Sequence, residues 1–99
     1  MTLVYINVIK RGRHVLVAVC DEEVLGKTLN DGKVEFQISE RFYKGEKVTL
    51  DEAIARVREA TSANLVGHNV VKKATLEGLI HPKAIIHIAG IPHAQMIML

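Results

Sequence analysis

The C-terminal stretch of the chain places the tightest limit on the fold, because two apolar runs there enclose a short polar segment. Residues 84–89 and 94–99 are largely aliphatic, and we predict that they form two buried β-strands. The insert between them, residues 90–93, ends in a histidine. Turns between buried strands are places where small folds present functional side chains. Since His93 and Gln95 are two residues apart, they leave the same face of a strand, and we predict a recognition site there.

Hydrophobic patterns elsewhere predict three more strands and two main helices. The strands are predicted at residues 3–10, 14–20 and 33–39. The second of these is nearly all apolar, so it is predicted to be central, and it follows the first through a tight turn at Gly12. One helix is predicted to begin at a capping box formed by Thr49 and Glu52, and a second to cover about residues 69–77.

Two connecting segments complete the predicted arrangement. Residues 61–67 are predicted to be a turn between the helices, and residues 21–26 a single helical turn capped by Asp21. The order of elements is typical of an α+β fold, with a mixed or antiparallel sheet of about five strands and two main helices packed on one face. At 99 residues, the chain is predicted to be one globular domain, residues 1–99.

Composition limits the classes of partner and the compartment. Hydrophobic residues make up 48% of the chain and aromatic residues only 4%, so the core is aliphatic. This scarcity argues against an aromatic stacking platform for single-stranded nucleic acid. The net charge of +2 is below that of a strongly electrostatic nucleic-acid binder. A single cysteine, no signal-peptide pattern and no apolar run of membrane-spanning length predict a soluble, cytoplasmic protein without a membrane partner.

Two further polar positions are candidate sites, each with a plainer alternative. Cys20 and Asp21 lie where a strand meets a helix N-terminus, which is a position that can activate a thiol as a nucleophile. Cys20 also fits the apolar pattern of its strand, which favours a small buried side chain. Asn64 belongs to residues 62–67, whose backbone N–H groups could bind an anion ahead of a helix, or could simply form a capped turn.

Basic residues at the Gly12 turn and in the predicted helix at residues 69–77 are candidate phosphate contacts. They are Arg11, Arg13, Lys72 and Lys73. If they converge, they form a modest patch for a phosphate backbone, and otherwise they are ordinary solvated surface. The five histidines are scattered without a recognised ligand spacing, so we predict no metal site and no cofactor.

Three segments of the chain resemble a known family. Residues 17–27, 62–67 and 90–95 are similar to a small archaeal family of unknown function, the domain-of-unknown-function family number 424. The resemblance covers essentially the whole chain. It implies an archaeal, cytoplasmic protein of about this length without an assigned reaction, loosely associated with translation and RNA-related genes. It assigns no role to any residue.

Three functional hypotheses follow from these patterns. The first is a non-enzymatic binding module for RNA or for a protein partner, such as a ribosome-associated protein, in the translation or RNA-processing apparatus. Its recognition residues would be Asn64, His93, Gln95, Cys20 and Asp21. The second is a small enzyme or small-ligand-binding protein with a polar pocket around His93. The third is a purely structural homo-oligomer, such as a homodimer paired through exposed strand edges.

Overall fold

The computed structural model describes residues 2–98, which form a six-stranded mixed sheet, a separate two-stranded hairpin and three helices. The strands are β1 (Leu3–Arg11), β2 (His14–Asp21), β3 (Thr28–Asn30), β4 (Glu35–Gln37), β5 (Glu46–Thr49), β6 (Ser62–Val66), β7 (Ile86–Ile88) and β8 (Ile91–Ile97). The helices are α1 (Glu40–Tyr43), α2 (Leu50–Arg58) and α3 (His68–Leu76). Short 3₁₀ turns occur at Glu22–Val24 and Pro82–Ala84.

The main sheet has the strand order β5-β1-β2-β6-β8-β7. Only the β2–β6 pair is parallel, and each of the other neighbours in this sheet is antiparallel. The apolar strand β2 is central, as its composition predicts. The α+β class and the mixed sheet are therefore confirmed, although the sheet has six strands rather than about five.

The two longer helices pack on one face of the sheet and build the larger part of the core. The cluster is aliphatic, and its fully buried members include Val17, Leu65, Val57 and Val70. Such a packing of helices on a sheet is expected where each element has one apolar face. The predicted start of α2 is confirmed, because the Thr49 hydroxyl accepts a hydrogen bond from the Glu52 N–H at 3.2 Å.

The opposite face of the sheet is only partly covered. The β3–β4 hairpin and α1 lie over its β1–β2–β6 part and enclose a second apolar cluster with Cys20, Val66, Ile38 and Tyr43. The neighbouring area over β6, β8 and β7 remains open. The candidate site lies in this gap.

The prediction for residues 61–67 is wrong, because Ser62–Val66 is the strand β6 in the middle of the sheet. Its polar residues suggested a turn, but they alternate with Ala63 and Leu65, which are buried beneath the helices. Of residues 90–93, only Gly90 lies in a turn. The reversal occurs at Ala89 and Gly90, and the polar residues that follow belong to β8.

The hairpin and the short elements around it were also not predicted in full. The predicted strand at residues 33–39 is only the three-residue β4, and β3, β5 and α1 are not among the predicted elements. These segments are short and mostly exposed, so their hydrophobic pattern is weak. No helix within residues 2–98 has both the length and the hydropathy required to cross a membrane.

Candidate functional site

A cleft of about 560 Å³ opens on the sheet face opposite α2 and α3. Strands β6, β8 and β7 form its floor, and Phe36 of the hairpin, Tyr43 of α1 and Ala84 of a 3₁₀ turn form its walls. Most of the lining is aliphatic or aromatic. The polar side chains in it are Asn64, Gln95, His93 and the Tyr43 hydroxyl.

His93 occupies a buried position in this cleft. Its side chain faces away from the helices, because it lies opposite Val66 in the register of β8 on β6. The residue is only 6% exposed, and its Nε2 atom is buried without a hydrogen-bond partner among residues 2–98. The Phe36 ring contacts the imidazole edge-on, with ring centres 4.7 Å apart. Burial, followed by the nearby charge of His87, lowers the pKa of His93, so the neutral imidazole is favoured.

Asn64 and Gln95 form the second polar feature of the cleft. They lie directly opposite each other on β6 and β8, and Gln95 Nε2 donates a hydrogen bond to Asn64 Oδ1 at 3.0 Å. No other side-chain hydrogen bond of either amide occurs within residues 2–98. The pair therefore presents a free carbonyl oxygen on Gln95 and free N–H groups on Asn64.

The structure brings together three of the five predicted recognition residues, Asn64, His93 and Gln95. The antiparallel pairing of β6 with β8 places them on one face of the sheet. Sequence reasoning missed Phe36 and Tyr43 as cleft residues. No local pattern points to them, because they reach the cleft only when the hairpin and α1 fold back over the sheet.

Cys20 lies outside the cleft lining and is not placed to act as a nucleophile with His93. In the sheet register Cys20 is opposite Val66, and Val66 is opposite His93. The backbones of Cys20 and His93 are therefore separated by two strand spacings, which together make about 10 Å. Burial, with the nearby Asp21 and Glu23 carboxylates, raises the pKa of the thiol to about 12. Within residues 2–98, no three His, Cys, Asp or Glu side chains group as they would around a metal ion.

Asp21 caps α3 rather than the turn that follows it. Its carboxylate is fully buried and accepts hydrogen bonds from the N–H groups of Asn69 at 2.7 Å and Val70 at 3.0 Å. No side-chain cap hydrogen bond joins Asp21 to the adjacent 3₁₀ turn. The pKa of Asp21 is raised by burial, against the opposite effect of these two donors.

The same contacts argue against the hypothesis that the backbone N–H groups of residues 62–67 bind an anion ahead of the helix. The protein's own carboxylate already occupies the N-terminus of α3, so an external anion has no place there. A Cβ on Gly67 would lie 2.6 Å from Asp21 Oδ2, so only glycine fits against the carboxylate. Asp21 thus has a structural role in the fold.

The four basic residues predicted as phosphate contacts lie on two different elements. Arg11 and Arg13 are exposed at the β1–β2 turn, whereas the two lysines lie on α3, on the sheet face opposite the cleft. Lys72 is exposed, and Lys73 is half-buried with its ammonium 3.8 Å from carboxylate oxygens of Asp51 and Glu77. The charge of Lys73 is therefore partly compensated within the protein.

Comparison with known proteins assigns the chain to a family but gives it no activity. Residues 9–99 match the sequence pattern of a family described as protein of unknown function (DUF424). The fold is similar to the crystal structure of an uncharacterized conserved protein from Methanopyrus kandleri, with a TM-score of 0.80 and 31% sequence identity over 95% of this chain and 90% of that chain. No curated protein matches the sequence. The source of the similar structure agrees with the archaeal origin that the resemblance implies.

Proposed function

We propose that this chain, which belongs to the DUF424 family, is a binding module whose ligand lies in the cleft between the main sheet and the β3–β4 hairpin. The buried, unpartnered Nε2 atom of His93 is the observation that carries the proposal. A buried polar atom without a partner costs about 1–3 kcal/mol, so a ligand that forms a hydrogen bond there gains affinity from relieving this cost.

The size and lining of the cleft support a compact ligand with an apolar body. Its volume of about 560 Å³ lies within the range of about 300–1,000 Å³ that is typical of small-molecule sites. Phe36, Ile86 and Ile88 supply apolar surface, and a few polar groups converge on it. Sites of this composition obtain affinity from apolar burial and orientation from a small number of hydrogen bonds.

Binding accounts for these side chains better than catalysis does. The thiol of Cys20 has a pKa of about 12 and is buried away from the cleft, so a covalent step with His93 is disfavoured. The RNA or protein partner expected from the sequence would use this cleft through a single group that is small enough to enter it.

An NMR titration with a fragment set of aromatic and heterocyclic amides tests the proposal on the whole chain. We expect ¹H–¹⁵N shift changes concentrated in β6, β7 and β8 and around Phe36. In Ala84→Trp, a bulky ring introduced at the wall of the cleft is expected to abolish these changes.

Leu76→Trp provides the matched control. Leu76 is exposed on α3, on the side of the sheet opposite the cleft, so this substitution should leave fragment binding unchanged. The proposal is wrong if no fragment shifts the cleft resonances. It is also wrong if Ala84→Trp folds normally and binds the same fragments as the original chain.

A further inference from the structure

We infer that the group bound in the cleft is a nucleobase, recognised by the amides of Asn64 and Gln95. The inference rests on the proposed function and specifies its ligand class. It follows from the unusual placement of two amide side chains, hydrogen-bonded to each other by a single bond, beside a buried imidazole and an apolar surface.

The hydrogen-bonding groups that remain on the amide pair determine which ligand edge fits. After the Gln95-to-Asn64 bond is formed, Asn64 Nδ2 offers N–H donors and Gln95 Oε1 offers an acceptor. Exchanging oxygen and nitrogen in both side chains leaves the same complement of one free carbonyl oxygen and one free amide nitrogen. A ligand that satisfies both groups must place a donor next to an acceptor along one edge.

This requirement separates nucleobases from other ligands of similar size. A carboxylate has two acceptors and no donor. A trans peptide group directs its N–H and C=O to opposite sides, so it cannot meet both amides with one edge. Planar nucleobases have adjacent donors and acceptors, and asparagine and glutamine amides pair with such edges in protein–nucleic-acid complexes.

The surfaces around the amide pair fit the faces of a planar ring. Ile97, which shares the sheet face with Gln95, is 69% exposed, and Ile86 on β7 is 60% exposed. Apolar side chains left this open in a small domain are suited to cover a ring that is otherwise hydrated. His93, two residues before Gln95 in β8 and on the same face, provides a further hydrogen-bonding atom for a ring substituent.

A nucleobase can reach this cleft from two sources. It can belong to a free nucleoside or nucleotide, or it can be an unstacked base of single-stranded RNA, whose edges proteins commonly read. The chemistry at the amide pair is the same in both cases. Phosphate contacts, and therefore a dependence of affinity on salt, are expected only for the RNA or for a phosphorylated nucleotide.

Calorimetric and NMR titrations with matched nucleosides test the inference. Adenosine is compared with N6,N6-dimethyladenosine, and uridine with N3-methyluridine, since each methylated compound lacks the donor of the recognised edge. For at least one pair we expect the unmodified nucleoside to bind about tenfold more tightly, with shift changes centred on Asn64 and Gln95. Asn64→Leu and Gln95→Leu should each remove this preference, whereas Gln37→Leu, which changes an exposed amide on β4, should retain it.

The outcomes separate this inference from the proposed function. If the fragments described above bind the cleft but no nucleoside does, or if methylation has no effect, the nucleobase inference is wrong and the cleft remains a binding site. If neither class of compound binds, both proposals fail. Uridine and adenosine oligonucleotides and the corresponding 5′-monophosphates serve as additional probes. Oligonucleotide affinity that exceeds that of the monophosphate and falls with salt assigns the base to RNA, and equal affinity assigns it to a free nucleoside or nucleotide.

Discussion

Replacing Asp21 by alanine should destabilise the fold strongly, because this buried carboxylate holds the N-terminus of α3. It accepts hydrogen bonds at 2.7 and 3.0 Å from the N–H groups of Asn69 and Val70. Val70 is fully buried, so its N–H would be left without a partner, at a cost of about 1–3 kcal/mol. Asn69 is exposed, and water can replace the second bond. With the loss of the helix cap, we expect the free energy of unfolding to fall by about 2–3 kcal/mol.

Urea unfolding followed by circular dichroism measures this change, and a thermal scan should show a fall in Tm of about 10–20 °C for a domain of this size. Asp51→Ala is the matched control. That carboxylate is exposed in the first turn of α2, and its single ion pair is a long one of 3.8 Å to the Lys73 ammonium. Because exposed pairs contribute little, its loss should lower the free energy of unfolding by less than about 1 kcal/mol. If Asp21→Ala costs no more than Asp51→Ala, the carboxylate does not hold α3 and the reasoning is refuted.

Four further predictions concern single sites. Burial lowers the pKa of His93 below 6.5, so the unfolded chain takes up a proton at this histidine before the folded chain does as the pH falls. The free energy of unfolding should therefore decrease below pH 6.5. Urea titrations should show a smaller decrease for His93→Phe, and equal decreases in both proteins would contradict the lowered pKa. Ala89 has a φ of 51° in the β7–β8 turn, and Ala89→Asn should raise the unfolding free energy by about 0.5–1 kcal/mol, whereas a decrease would exclude strain there. Cys20 should react with Ellman's reagent at pH 8 only after unfolding, and rapid reaction of the folded chain would contradict its pKa of about 12. The predicted homodimer is supported by the exposed side chain of Met98 after β8, outside the cleft lining; it should be seen by light scattering and be weakened by Met98→Lys, and a monomer at all concentrations would rule it out.

The elements that could be predicted from the sequence are those whose apolar pattern extends over several turns or strand residues. The β1–β2 hairpin, α2 with its Thr49 cap and α3 at His68–Leu76 agree closely with the predicted boundaries. In each case one face of a regular element is buried against the same aliphatic core. Local periodicity and tertiary packing therefore favour the same conformation.

Strand β6 could not be predicted because its two faces meet different surroundings. Ala63 and Leu65 pack against the helices, while Asn64 faces the partly open cleft with Ser62 on the same side. A central strand normally has apolar residues on both faces, and the polar side chains gave this one the composition of a turn. The hydrophobic pattern of β6 therefore fails to predict a strand at the same place as the candidate site. Such a coincidence is expected where side chains serve binding rather than packing.

Asp21 was misassigned because its partners are about 48 residues away along the chain. The sequence shows a carboxylate before a short helical turn, and local capping is then the simplest interpretation. Only the parallel pairing of β2 with β6 brings the end of β2 next to the beginning of α3. A contact that depends on a crossover between distant strands has no local sequence pattern.

The cap of α3 and the candidate site are joined through one glycine. The N–H of Gly67 donates a hydrogen bond to the carbonyl of Pro92 at 3.0 Å, immediately before His93, and the same glycine packs directly against the Asp21 carboxylate. Gly67 has a φ of 122°, a conformation that side chains with a Cβ rarely adopt. A substitution at Gly67 must therefore displace either the carboxylate from α3 or the β8 backbone that positions His93. Stability and ligand binding should consequently respond together to changes at this glycine, whereas changes at Asn64 and Gln95 should affect binding alone.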